Sequence, residues 1–197
     1  NEAGVLSGVV NISIAVTEGS QSRIGNIDIR GNSRTKDNVI RREVTVYPGE
    51  IFDMVKVRSS KTRLMHLGYF SDVRTMPLNT GDRDVSDLLM EVDEKQTGQF
   101  TAGIGFSSID NLFGYIGVSQ NNFDLFGWPY FTGDGQKMKF YAQLSADNQD
   151  YEINFVEPWF LEKPLEFGVD LYIKTRDYSE YDIDRIGCAF NLGKALN

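Results

Sequence analysis

Of 197 residues, one is cysteine, one is histidine and two are tryptophan. A single cysteine excludes an intrachain disulfide framework and a cysteine-rich zinc site. His66 has no Cys or His partner at metal-ligand spacing and reads as a surface or capping residue. Long apolar runs are also missing. The longest uncharged stretches, 3–17 and 96–109, contain polar residues and fall short of the ~18–20 apolar residues of a membrane-spanning helix. A helical membrane protein is excluded, whereas a strand-built one is not. Residues 3–17 lack the basic leader and small-residue cleavage pattern of a signal peptide, so any export signal is expected to have been removed. Basic charge is scarce, and a net charge of −8 argues against nucleic acid as a partner. No nucleophile–base pair or phosphate loop is evident. Gly103-Ile104-Gly105 lies in a strand pattern with no helix after it, which excludes a dinucleotide fingerprint. Asp182 and Asp184 lack the glycine-rich loop of a calcium site. No enzyme, cofactor or metal is expected.

The charge that is present is unevenly placed. Residues 21–96 carry a net +1, residues 97–197 carry −7, and residues 1–20 supply the remaining −2. Periodicity changes at the same point, from mixed helix and strand to strand alone. A boundary is expected near Gln96-Thr97, giving segments 1–19, 20–96 and 97–197.

The middle segment reads β-α-α-β-β. A strand over 23–30 carries Ile24, Ile27 and Ile29 and ends in Gly31-Asn32-Ser33. Thr35 is the expected N-cap of a helix over 36–44, stopped by Tyr47-Pro48-Gly49. Asp53 caps a second helix over 54–67, with Val57, Leu64 and Leu67 inward and Gly68 as the stop. Arg41, Arg42, Lys56, Arg58, Lys61 and Arg63 are expected on a solvated helix surface, where a protein partner could dock. Strands over 73–77 and 85–92 complete a three-stranded sheet with both helices on one face. Residues 11–19 resemble 87–95, at an offset close to the length of the unit. Either residues 1–19 end a preceding module of the same kind, or two unrelated strands share a common pattern.

Gly31-Asn32, Pro48-Gly49, Leu67-Gly68-Tyr69-Phe70 and Val92-Asp93-Glu94, in this order, resemble the POTRA domain. That domain is the periplasmic module of the BamA family of outer-membrane barrel assembly factors.

From Gln99 onward six segments alternate with period two. The apolar phases include Phe100, Ile104 and Phe106; Leu112, Ile116 and Val118; Met138, Phe140 and Leu144; Tyr151, Ile153 and Phe155; Phe167, Val169 and Leu171; and Ile186, Cys188 and Phe190. Alternation alone fits any half-buried sheet. However, no charge falls inside the apolar phase of any strand, as expected where a Lys or Arg facing lipid at mid-bilayer costs roughly 2–4 kcal/mol. The connections are sided. Two alternate ones carry Phe126, Trp128 and Tyr130, and Trp159 and Phe160, while the others are short polar turns. Aromatic rings at one end of a sheet suit a membrane interface, so these five are the expected anchors. A membrane barrel is favoured over a soluble sandwich. Such barrels need at least ~8 strands, because an open edge leaves backbone groups unpaired in lipid. Six strands therefore imply a fragment, or a sheet completed by another chain.

Thr97-Gly98-Gln99-Phe100 with Gly103-Ile104-Gly105-Phe106 resembles the first barrel strand of the BamA family, and Asn122-Phe123, residues 133–136 and Glu157-Pro158-Trp159-Phe160 resemble its second-to-third and fourth-to-fifth strand connections. The resemblance implies an α+β POTRA domain followed by antiparallel transmembrane β-barrel strands. It implies a non-enzymatic outer-membrane assembly factor whose POTRA domain lies in the periplasm. Its partners would be nascent outer-membrane β-barrel proteins, periplasmic lipoprotein subunits and outer-membrane lipid. Substrate strands would pair along Gln99, Phe100, Thr101, Ala102, Gly103, Ile104, Gly105, Phe106 and Ser107, with Gly103 and Gly105 making that strand deformable. A TamA-like or two-partner secretion translocator of the same superfamily, and a passive porin with a periplasmic domain, are the alternatives.

Overall fold

A computed structural model describes residues 13–15, 21–82, 84–108, 110–178 and 180–194. The expected terminal strand of a preceding module, within 1–19, lies outside the described residues except for 13–15, which form no regular element.

The first unit begins with β1 (Arg23–Arg30). Ile24 and Ile27 are both buried although three residues apart, because the register slips between them. The bulge turns Asn26 so that its N–H donates to the Asp87 carboxylate at 2.6 Å, and alternation resumes on the core side. Gly31 follows in the left-handed region at φ +90°, where any Cβ would run into the Val92 carbonyl oxygen. Two helices come next, α1 (Asp37–Arg41) and α2 (Met54–Leu67). Asp53 caps α2 by accepting from the Val55 N–H at 2.7 Å, and Gly68 closes it at φ +74°. Strands β2 (Phe70–Asn79) and β3 (Val85–Glu94) complete a sheet of order β1-β3-β2, with β1 parallel and β2 antiparallel to β3. Pro77 is tolerated because β2 is an edge strand. Val39, Ile40, Val57 and Leu64 from the helices join Ile24, Phe70, Val73, Leu88, Met90 and Val92 in one buried cluster. Each such side chain contributes about 1.5–3 kcal/mol on burial.

One expectation is corrected here. Thr35 does not cap α1, which runs five residues instead of nine. Lys36 occupies the cap without a side-chain bond. The Thr35 N–H donates to Glu94 at 2.6 Å and its hydroxyl accepts from Asn122 at 2.9 Å, so both polar groups have tertiary partners.

The second unit is a six-stranded antiparallel meander: β4 (Gly98–Ser107), β5 (Asn111–Phe123), β6 (Gln136–Ser145), β7 (Asn148–Glu157), β8 (Glu166–Tyr178) and β9 (Tyr181–Gly193). Its registers keep the two phases apart across every pairing. Phe100, Val118, Phe140, Ile153, Leu171 and Cys188 form one continuous cross-strand row, and Thr101, Gly117, Tyr141, Glu152, Tyr172 and Gly187 form another. The apolar row is uncovered. Phe100, Ile104 and Phe190 are 68%, 83% and 70% exposed, and Ala142 is the sheet's one buried hydrophobic residue among those described. A soluble sheet hides this face, so the uncovered face calls for an apolar solvent. No described helix is long and apolar enough to cross a membrane, which says nothing of strands.

Candidate functional site: an open strand edge and the joint beneath it

β4 pairs with β5 residue for residue from Gly98–Gln120 to Ser107–Asn111, and among the described residues it has no partner on its other side. Within this six-stranded segment its outer edge from Gly98 to Phe106, like the outer edge of β9, has no strand beside it. The residues singled out in the sequence, Gln99 to Ser107, all lie on this strand. Phe100, Ile104 and Phe106 project to the apolar face, while Gly103 and Gly105 lie on the other. A Cβ on Gly103 would meet the Tyr115 hydroxyl at 2.6 Å, and one on Gly105 would meet the Phe113 ring. The glycines make room for two aromatic rings carried by β5. Tyr115 is itself stacked on Tyr141 at 6.1 Å. The sequence marked the glycines but missed the rings, although Phe113 and Tyr115 stand out as aromatics in a polar phase.

The same polar face holds a network of charge. Arg176 forks onto Asp150 at 2.6 and 2.7 Å, and Lys174 meets Glu152 at 2.7 Å. Asp170 accepts from Asn154 on one side and from Asn191 at 2.7 Å on the other. These pairs link β7, β8 and β9 across the face that looks away from the apolar row.

The two aromatic connections leave the sheet at the end nearest the first unit, and there the units are joined. Lys36 reaches Asp124 at 2.8 Å and Asp134 at 3.2 Å. Its N–H donates to the Gly133 carbonyl at 2.8 Å. Asn122 donates to Thr35 and accepts from the Gly135 N–H at 2.9 Å, while the Tyr69 hydroxyl donates to the Gly135 carbonyl at 3.2 Å. Burial pushes the Tyr69 hydroxyl up to about 12. Burial works against the Lys36 charge, but its bonds to Asp124 and Asp134 outweigh that and raise it. Glu94 holds the loop above by accepting from Ser33, Arg34 and Thr35; burial opposes its charge, yet these donors pull its carboxyl below the usual glutamate value. Asn122 and Asp124 are buried polar residues of the connection; the sequence marked Asn122 only as a family residue and Asp124 not at all.

The expected interface anchors divide into two groups. Phe126, Trp128 and Tyr130 are 86%, 80% and 85% exposed. Phe160 stacks on Phe167 of the apolar face at 4.8 Å. Trp159 instead faces the first unit, with the Arg42 guanidinium 5.3 Å from its ring. Arg42 is therefore not the solvated surface residue expected, because folding the units together half-buries it against Trp159.

Residues 22–95 match the family model described as POTRA, surface antigen variable number repeat, and residues 131–197 match the Omp85 superfamily domain. The chain is 29% identical to the outer membrane protein assembly factor BamA of Nitratidesulfovibrio vulgaris over 91% of its own length and 22% of that relative. It is 32% identical to the BamA of Neisseria meningitidis serogroup B over 85% of its length and 20% of that relative. It thus spans about a fifth of these proteins. The crystal structure of Haemophilus ducreyi BamA lacking POTRA domains 1–3 superposes with a TM-score of 0.76 at 23% identity, over 88% of this chain and 32% of that one. This superposition identifies the fold.

Proposed function

We propose that this chain, which joins a POTRA domain to Omp85-superfamily barrel strands in the manner of BamA, is the templating part of an outer-membrane protein assembly factor. Residues 20–96 are its POTRA domain, residues 97–197 are the opening strands of its barrel, and residues 1–19 end a preceding module. The single observation that supports the mechanism is the place of β4 as the first strand of the sheet, directly after the POTRA unit and bordering an uncovered apolar face. An incoming barrel strand satisfies its own backbone by pairing along Gln99 to Ser107 while its apolar side chains continue the lipid-facing row. Backbone pairing supplies affinity and alternate side chains supply register, so no nucleotide is needed. The edges of the POTRA sheet guide extended segments toward this strand from the periplasm, and Phe126, Trp128, Tyr130 and Phe160 sit at the membrane boundary. The exposed basic residues of α2, Arg58 and Arg63 among them, are a docking face for periplasmic lipoprotein subunits.

The test is disulfide crosslinking in membranes. With Cys188 replaced by alanine, Ile104→Cys is expected to crosslink to a cysteine in the terminal strand of a barrel protein during its assembly. Robust assembly with no adduct at any β4 position would remove the templating role and leave a passive barrel.

A further inference from the structure

At the joint, Asn38, Arg42, Asp134, Glu157, Trp159 and Glu162 line a cleft of about 430 Å³. Arg42 is its anomaly. Its Nε is buried without a hydrogen-bond partner, and its guanidinium forms no hydrogen bond or ion pair among the described residues. Leaving a buried donor unsatisfied costs about 1–3 kcal/mol, more when charged. Desolvation correspondingly lowers the Arg42 pKa. Three carboxylates line the same cleft, yet none lies within ion-pairing distance of Arg42. Asp134 is engaged by Lys36, and Glu157 accepts from Gln136 and the Trp159 N–H at 2.9 and 3.0 Å. Glu162 is exposed and its carboxylate has no partner among the described residues.

The position of the cleft matters as much as its content. Glu157 continues the outward phase of Phe155 and Ile153, and Phe160, beside the cleft, stacks into the outward ladder of Phe167 and Phe190. The cleft therefore sits where the lipid-facing surface meets the first unit, at the depth of a headgroup layer. An unpaired guanidinium calls for an anion, and the acidic rim repels a group that is only anionic. A ligand carrying both charges satisfies both sides.

We propose that this cleft binds the headgroup of a zwitterionic phospholipid with a primary ammonium, its phosphate on Arg42 and its ammonium among Glu157 and Glu162. Trp159 forms the wall between headgroup and acyl region, and its ring faces the guanidinium as a cation–π partner. Bound lipid staples α1 to the sheet rim and couples the POTRA orientation to the membrane. This rests on the outward face meeting lipid, as proposed above.

The experiment is native mass spectrometry of the delipidated full-length protein titrated with phosphatidylethanolamine, phosphatidylglycerol, phosphatidylcholine and inorganic phosphate. Phosphatidylethanolamine is expected to bind most tightly. Arg42→Ala should weaken it by about tenfold or more, with partial retention in Arg42→Lys. Glu162→Gln, at an exposed position that leaves folding intact, should erase the preference for phosphatidylethanolamine over phosphatidylglycerol. Equal binding of the two lipids by the unaltered protein, unchanged selectivity in Glu162→Gln, or inorganic phosphate binding as well as lipid would each overturn the proposal. An Ile104 crosslink that persists while selectivity is absent would remove this site alone and leave strand templating standing.

Discussion

Glu94 shows how one side chain can carry a junction. It closes β3 and gathers the donors of Ser33, Arg34 and Thr35, while the Thr35 hydroxyl accepts from Asn122 of the second unit. Because its folded pKa is depressed, its stabilising contribution is complete above the ordinary glutamate value and is lost as pH falls through the lowered folded value. Hydrogen exchange at the Thr35 amide should accelerate across that acidic window. In Glu94→Gln the protection should be lower at neutral pH, by about 1–3 kcal/mol, and the acid step should vanish. The same acid step in the variant would show that another group controls the loop. This residue was legible in the sequence only as a family marker. Its three partners lie some sixty positions earlier, and nothing local distinguishes a strand-end glutamate that caps a remote loop from one in water. Arg42 was misread for the same reason: helix periodicity puts it outside α1, and only the second unit covers it.

At the scale of the element, what the sequence revealed depended on whether local and tertiary signals agreed. For α2 they agree, with Asp53 and Gly68 at its ends and Val57 and Leu64 buried along it, and its span was readable to the residue. For α1 the Thr35 signal was genuine but tertiary bonds claimed it. The turn between β6 and β7 is tighter than the polar run 147–150 suggests, because the Ser145 hydroxyl accepts from the Asn148 N–H at 2.9 Å and β7 starts at once. For β4 the alternation was legible, but the reason for its glycines was not. They are seats for Tyr115 and Phe113, which pack over β4 from its partner β5. Gly103→Ala should therefore destabilise β4 by about 1–3 kcal/mol through overpacking, since Tyr115 is held by Tyr141 and cannot swing freely. Amide exchange along β4 measures this, and Tyr115→Ser added to Gly103→Ala should restore protection. No change in the single variant would return these glycines to ordinary strand positions.

In the whole molecule the two units differ in how they are stabilised. The first is a small α+β core with its apolar residues inside. The second has almost no interior of its own and keeps its ionic pairs on one face and its bare apolar row on the other. Between them lies a polar joint built by Lys36, Tyr69, Asn122, Asp124 and Gly135, a mode of attachment suited to a rim where water meets lipid. The change in charge and periodicity near Gln96 announced two units, but Tyr69, Asn122 and Gly135 were legible only as family markers, and the contacts of the joint were not, because its members are scattered over a hundred positions and share no pattern. Everything the open edge is proposed to do requires the apolar row to meet hydrocarbon. The most direct measurement is the oxygen and nickel-chelate accessibility of spin labels placed one at a time along β8 from Phe167 to Ile173, in the full-length protein in bilayers. Oxygen accessibility should peak at Phe167, Val169, Leu171 and Ile173 and fall at Gly168, Asp170 and Tyr172. Low accessibility to both reagents at all seven positions would mean a second protein layer over this face, and would contradict the account.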